Sequence, residues 1–239
     1  MFNRLRTACF PALVGAFITV ASGASTALAV GQDQFECRGE PTVPAVAQKL
    51  LGEVESSYQG LQTLRAAFVQ DSYMAALDVS ERSSGEMVFV KPGRMRWDYR
   101  SPESQTFLVR DTTVWFYQPE AKQVLIDEFR DVLISDLPVA FLMGLGGLSD
   151  KFEVARACVD GAGVVFELRP RGAGSDEGLK GFILKVDEKR LPIGARVVDV
   201  GGNETTIFLT DRKPNLDVAD SLFKAEFPAG TDINDQRAK

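Results

Sequence analysis

"GEMVFVKPGRMRWDYRSPESQ", residues 85–105, alternates with a period of two. Met87, Phe89 and Lys91 fall on one side before Pro92-Gly93, and Met95, Trp97 and Tyr99 continue that side after it. Successive strand residues point to opposite faces, so the stretch reads as two short strands joined by a Pro-Gly turn, with one apolar face. One residue breaks the pattern. Lys91 puts an ammonium on the apolar side just before the turn, where a strand-end lysine can snorkel to solvent.

Working outward, the same alternation predicts strands at about 63–75, 84–91, 94–100, 105–111, 113–118 and 121–129, and again at 151–159, 163–169, 179–187, 191–200 and 203–211. Turn residues separate them, including Arg100-Ser101-Pro102, Gly161-Ala162-Gly163 and Gly201-Gly202-Asn203. Short connections imply antiparallel neighbours, and about ten or eleven such strands can curl into a barrel or a strongly bent sheet.

Two segments change period. "TVPAVAQKLLGEVESSYQG", residues 42–60, carries Val43, Val46, Ala47, Leu50, Val54 and Tyr58 at helical spacing. Thr42 is placed to cap this helix, Pro44 fits its first turn and Gly60 ends it. "RDVLISDLPVAFLMGLGGLSD", residues 130–150, is too long and too apolar for a hairpin loop. Leu133, Leu137, Phe141 and Leu145 share a helical face there, and Pro138 with the glycines divides it into one or two short helices. Residues 30–41 read as a short, poorly structured lead-in.

The first 29 residues are excluded from the fold. Arg4 and Arg6 precede an apolar run from Ala8 to Val20 that ends in Ala27-Leu28-Ala29. This is the pattern of a secretory signal cleaved after Ala29, leaving 30–239 as a single domain. The alternative is an uncleaved anchor, for which the run is short. No lipid-attachment cysteine box is present. Export of the 239-residue chain then leaves 25 basic against 33 acidic residues, which disfavours nucleic acid and anionic membrane as partners.

Cys37 and Cys158 remain after export and are expected to form a disulfide, the alternative being two buried thiols. The chain contains no histidine, which excludes Ser-His-Asp, Cys-His and histidine-metal chemistry together. No metal and no cofactor are expected, and no nucleophile–base pair presents itself, so the chain is not expected to be an enzyme. The glycines at 144–147 and 171–178 lack the lysine and the strand–helix context of a phosphate loop. The inner face gathers Met87, Phe89, Met95, Trp97, Tyr99, Phe107, Val109 and Phe116. These residues form either a plain hydrophobic core or the wall of a cavity covered by the apolar helices.

"SGEMVFVKPGRMRWDYRSPESQTFLVRDTTVWFYQPEAKQV", residues 84–124, resembles the signature of the periplasmic outer-membrane lipoprotein carrier family, LolA. The matching positions are Gly85, Met87, Phe89, Lys91-Pro92, Met95, Trp97, Pro102, Asp111, Trp115, Tyr117 and Pro119. Phe68 and Gln70 match an earlier strand, and Asn215, Phe223, Phe227, Pro228 and Gly230 match the family's close. The resemblance implies an α+β, mainly antiparallel fold. It would be an incomplete, open β-barrel of about ten or eleven strands, with an N-terminal helix and a central helical insertion as a lid over a hydrophobic cavity.

The resemblance further implies a soluble, cofactor-free carrier of acylated lipoproteins, monomeric, in the periplasm. It would be loaded by an inner-membrane lipoprotein-release ABC transporter and unloaded by an outer-membrane receptor of similar fold. Lys91 would be the lid latch, bonded to lid backbone. Acyl chains would lie against Met87, Phe89, Met95, Trp97, Phe107, Phe116, Leu133, Leu137, Phe141 and Leu145. Arg94 and Arg96 are expected to face solvent, and Trp115 and Tyr117 to meet outer helices or a docking surface. Two alternatives stay open: a carrier of another envelope lipid, and a lipid-sensing stress-signalling regulator on the same fold.

Overall fold

The structure, a computed structural model, describes residues 35–128, 147–161, 163–171 and 179–237. Leu133, Leu137, Phe141 and Leu145, the rest of the insertion up to residue 146, and the leader with its cleavage point all lie outside the described residues.

Helix α1 (Pro44–Gly60) is followed by β1 (Thr63–Met74), β2 (Val79–Val90), β3 (Arg94–Ser101), β4 (Gln105–Arg110), β5 (Thr113–Gln118) and β6 (Gln123–Glu128). After a short α2 (Leu148–Lys151) come β7 (Phe152–Asp160), β8 (Gly163–Pro170), β9 (Leu179–Val186), β10 (Pro192–Asp199) and β11 (Glu204–Pro214). A single 3-10 turn (Asp220–Phe223) and β12 (Asp232–Asp235) close the chain. The strands form one sheet in the order β12-β6-β5-β4-β3-β2-β1-β11-β10-β9-β8-β7. It is antiparallel throughout except at β12, which runs parallel to β6. With β12 and β7 as its two edges, the sheet is an open barrel.

Alternation builds the core. Phe68, Met87, Met95, Trp97, Phe107 and Val109 on one arm share a cluster with Phe166, Leu184, Val197 and Leu209 on the other, and with Leu51 and Val54 of α1. Strands so far apart in the order can meet only because the sheet curls around the helix. Leu51 and Val54 of α1 are fully buried inside the curl.

Several sequence expectations are corrected. Twelve described strands replace ten or eleven, because β12 carries only one large apolar residue, Ile233, and pairs through backbone bonds that no pattern announces. β2 begins at Val79, well before its alternating part, since 79–83 pair along β1 as an extended hairpin. Val43, not Thr42, sits at the N-cap of α1, with no side-chain cap. The Thr42 hydroxyl donates instead to the carbonyl of Ala157 at 3.2 Å. Val43 and Val46 are exposed at 62% and 43%, so the buried stripe of α1 starts at Ala47. The lead-in is packed, at least from Phe35: that ring is 2% exposed and lies 4.6 Å from Phe208 on the outer face.

Cys37 and Cys158 are joined in a disulfide, with Cα atoms 5.5 Å apart. Cys158 faces away from the inner cluster that takes Ala157, so the link ties the lead-in to the outside of β7. A second cover comes from the far end of the chain. Residues 215–231 leave β11 in mid-sheet and deliver β12 to the β6 edge, with the Asp232 amide donating to Lys122 at 2.8 Å and the Gln236 amide to Ile126 at 2.8 Å.

Candidate functional site

Met87, Phe89, Met95, Trp97 and Phe107 lie together on the inner face, each 7% exposed or less. Phe116 packs against the same cluster from β5 and is partly buried. Met87 stands opposite Trp97 in the β2–β3 ladder, and Trp97 opposite Phe107 in the β3–β4 ladder. The inner face of these strands is thus a continuous aromatic and methionine band. Methionine is unbranched and adaptable, which suits a surface that must fit more than one shape. On β6 the faces exchange character: Val124 and Ile126, on the outer side with Tyr117 and Trp115, are buried, while Leu125 and Asp127 on the inner side are half-buried.

Helix α1 closes the band. On the arm of β7 to β10 it is held by several polar contacts, from the β9–β10 turn and from α2. Arg190 Nε donates to Glu53 Oε2 at 2.9 Å, and the Ser149 amide and hydroxyl donate to Glu55 Oε1 at 2.8 and 2.9 Å. Beyond the helix C-terminus, the Gln62 amide donates to Asn215 Oδ1 at 2.8 Å.

On the β2 side stands Lys91. Its ammonium donates to the Tyr58 carbonyl in the last turn of α1, and Nζ lies 3.9 Å from the centroid of the Tyr58 ring. One residue therefore supplies both a backbone acceptor at the negative end of the helix dipole and an aromatic face for the cation. The Tyr58 ring is stacked on Phe89, with centroids 6.2 Å apart and planes at 18°. Burial shifts both groups: it lowers the Lys91 pKa below that of an ordinary lysine and raises that of the Tyr58 phenol. The aromatic seat is not legible from the strand alone. In the sequence, Tyr58 is only one apolar position of a helix stripe.

The outer face of the same strands is occupied, which corrects the solvent role expected for Arg94 and Arg96. Arg94 is paired with Asp220 and lies 5.5 Å from the Phe223 ring, while Arg96 Nη1 donates to the Leu222 carbonyl at 3.2 Å. Phe223, 1% exposed, fills a small cluster with Val88, Val90 and Leu108, against which Trp115 packs. Tyr117 meets Phe227 at 5.1 Å between ring centroids. Trp115 and Tyr117 thus face the C-terminal segment, Trp115 against the cluster of Phe223 at the end of a 3-10 helix and Tyr117 against Phe227 beyond it.

A cleft of about 560 Å³ lies elsewhere, at the β8–β11 end of the sheet. Its Lys185 and Arg212 are paired with Asp160 and Asp187 at 3.2 and 2.8 Å. Those charges satisfy one another, and the cleft mixes them with Leu191, Ile193 and Leu209, without the aromatic and methionine side chains of the inner band. Among the described residues there is no group of three or more potential metal ligands, and no helix is long and apolar enough to cross a membrane.

Known proteins resemble the chain over most of its length. The family model described as "Outer membrane lipoprotein carrier protein LolA" matches residues 59–226. The outer-membrane lipoprotein carrier protein of Nitrosospira multiformis is 27% identical over 188 residues, which is 77% of this chain and 87% of the relative. That of Azotobacter vinelandii is 29% identical over 174 residues, 72% of this chain and 81% of the relative. An uncharacterized conserved protein from Thermus thermophilus has the same fold. At 13% identity, its crystal structure superposes with a TM-score of 0.51, covering 80% of this chain and 99% of that one.

Proposed function

The chain belongs to the LolA family of outer membrane lipoprotein carrier proteins, and from that premise we propose that it is a periplasmic shuttle whose inner face shelters lipoprotein acyl chains. It takes cargo from an inner-membrane, ATP-driven release complex and delivers it to an outer-membrane receptor of similar fold. Residues 30–239 are the working domain, exported by a leader cleaved after Ala29.

Hydrocarbon chemistry sets the need. Each buried CH₂ is worth about 0.8 kcal/mol, so an acyl chain of about 16 carbons faces roughly 12 kcal/mol on entering water. A soluble apolar wall removes most of that barrier without making or breaking a covalent bond. Release requires that the wall be adaptable, which the Met87, Met95 and Phe89 band favours.

The observation that carries the proposal is the Lys91 contact. An ammonium at the rim of an apolar face is bound to the last turn of the helix that closes that face. Lys91 is the latch: an incoming chain that lifts α1 from Phe89 breaks one charge-assisted bond and one cation–π contact, both re-formed on release. Isolation of the mature protein from an envelope extract, with mass spectrometry of what it holds, tests the reading. Acylated peptides are the expected cargo. Other lipids would reassign the cargo, and a protein that carries no acyl group under any loading condition would refute the shuttle.

A further inference from the structure

Trp97 is 1% exposed, and its ring is well accommodated, with Phe68 at 4.6 Å between centroids. Its indole N–H is not: Nε1 is buried and has no hydrogen-bond partner among the described residues. A buried donor without an acceptor costs the desolvation of that group, and native proteins retain few of them. Phenylalanine would supply similar packing without the orphaned donor. The neighbours across both ladders, Met87 and Phe107, offer no strong acceptor, and an apolar surrounding does not hold a water. Two residues along the same face, the Tyr99 hydroxyl donates to Gln70 Oε1 at 3.0 Å. One inner-face donor is satisfied within the chain and the other is left open.

We infer that Trp97 Nε1 is a binding group for the carbonyl oxygen of an acyl ester or amide, so that the inner face, opened by cargo, recognises the polar junction of that cargo as well as the hydrocarbon. The inference rests on the carrier reading above. Apolar walls discriminate by bulk and length, while a few placed polar groups fix orientation. An acyl carbonyl that enters such a site loses its water and needs a donor. Here two groups that are each costly alone satisfy one another on binding. A site built to hydrogen-bond its ligand also rejects the analogue that lacks the acceptor. Met87 and Met95 beside the indole can change rotamer to admit the chain.

Two probes separate this from simple greasiness: a peptide carrying a diacylglyceryl cysteine, and the matched dialkyl ether, in which each ester carbonyl is replaced by CH₂. The wild-type protein should bind the ester probe about ten-fold more tightly, the usual worth of one hydrogen bond. Trp97→Phe should bind both probes alike, at the level of the ether. A second readout needs no change at Trp97. The chain has two tryptophans, so a Trp115→Phe sample assigns the two indole N–H signals in a proton–nitrogen NMR spectrum. The Trp97 signal should lie in the unbonded range when the protein is empty, move downfield with the ester, and stay with the ether. Equal binding of the two probes by wild type, or a Trp97 N–H already bonded in the empty protein, overturns the inference and leaves the carrier reading standing. Failure to bind either probe refutes the carrier reading itself, and the inference with it.

Discussion

The two faces of β2, β3 and β4 come from the same alternating residues but are closed in different ways. On the outside, Val88, Val90 and Leu108 receive Phe223, and Arg94 and Arg96 bond to Asp220 and the Leu222 carbonyl. A new strand then follows along β6. On the inside, Met87, Phe89, Met95 and Trp97 receive a helix whose polar side-chain tie to β2, among the described contacts, is the Lys91 ammonium. Over these strands the outer cover has two polar fasteners, at Arg94 and Arg96, and branched side chains packed on Phe223. The inner cover has there, among the described contacts, the Lys91 tie and adaptable side chains. Exported folds need permanent seals, and carriers need one that opens. On the carrier reading proposed above, the difference gives each face one job.

Substitutions that loosen the outer covers should cost stability, and the inner latch should cost transport. The largest effect is expected at the disulfide, which closes a loop of 121 residues over the outside of β7. In the chain-entropy model, Cys37→Ser with Cys158→Ser removes about 4 to 5 kcal/mol, measurable by denaturant unfolding. Next comes Phe223→Ala, a buried aromatic lost from the outer cluster, at about 3 kcal/mol. Its folded fraction should still bind acylated peptide with unchanged affinity. Lys91→Leu is smallest in stability, below about 1 kcal/mol, since it removes a partly exposed helix-end hydrogen bond and a cation–π contact. Yet it should change the rate of lipoprotein transfer in a reconstituted assay. If Lys91→Leu destabilised the fold as much as Phe223→Ala, or left transfer untouched, the division between the faces would fail.

Much of this is legible in residues 85–105. Alternation assigns Met87, Phe89, Met95 and Trp97 to one face and Arg94 and Arg96 to the other, because a strand has a strict period of two. The helix period likewise locates α1 and its buried Ala47, Leu50, Val54 and Tyr58. What a local pattern cannot encode is the partner of each face. Arg94 reads as solvated because Asp220 lies 126 residues away. β12 is invisible because a parallel edge strand of four exposed residues, with Ile233 alone apolar, carries no alternation. Thr42 has the chemistry of a cap, but the Ala157 carbonyl beside it takes its hydroxyl. The missing acceptor of Trp97 is a property of packing, which no spacing reports.

The most direct test follows α1 relative to the sheet while cargo binds. Nitroxides placed on exposed Gln59, at the latched end of the helix, and on exposed Arg110, at the end of β4, report that separation as a distance distribution. A second pair across Leu222 and Arg100 reports the outer cover. Loading with an acylated peptide should lengthen or broaden the first distribution and leave the second unchanged. A protein that binds acylated peptide with the first distribution unmoved, or with the outer pair moving in its place, would contradict a door on the inner face held by Lys91.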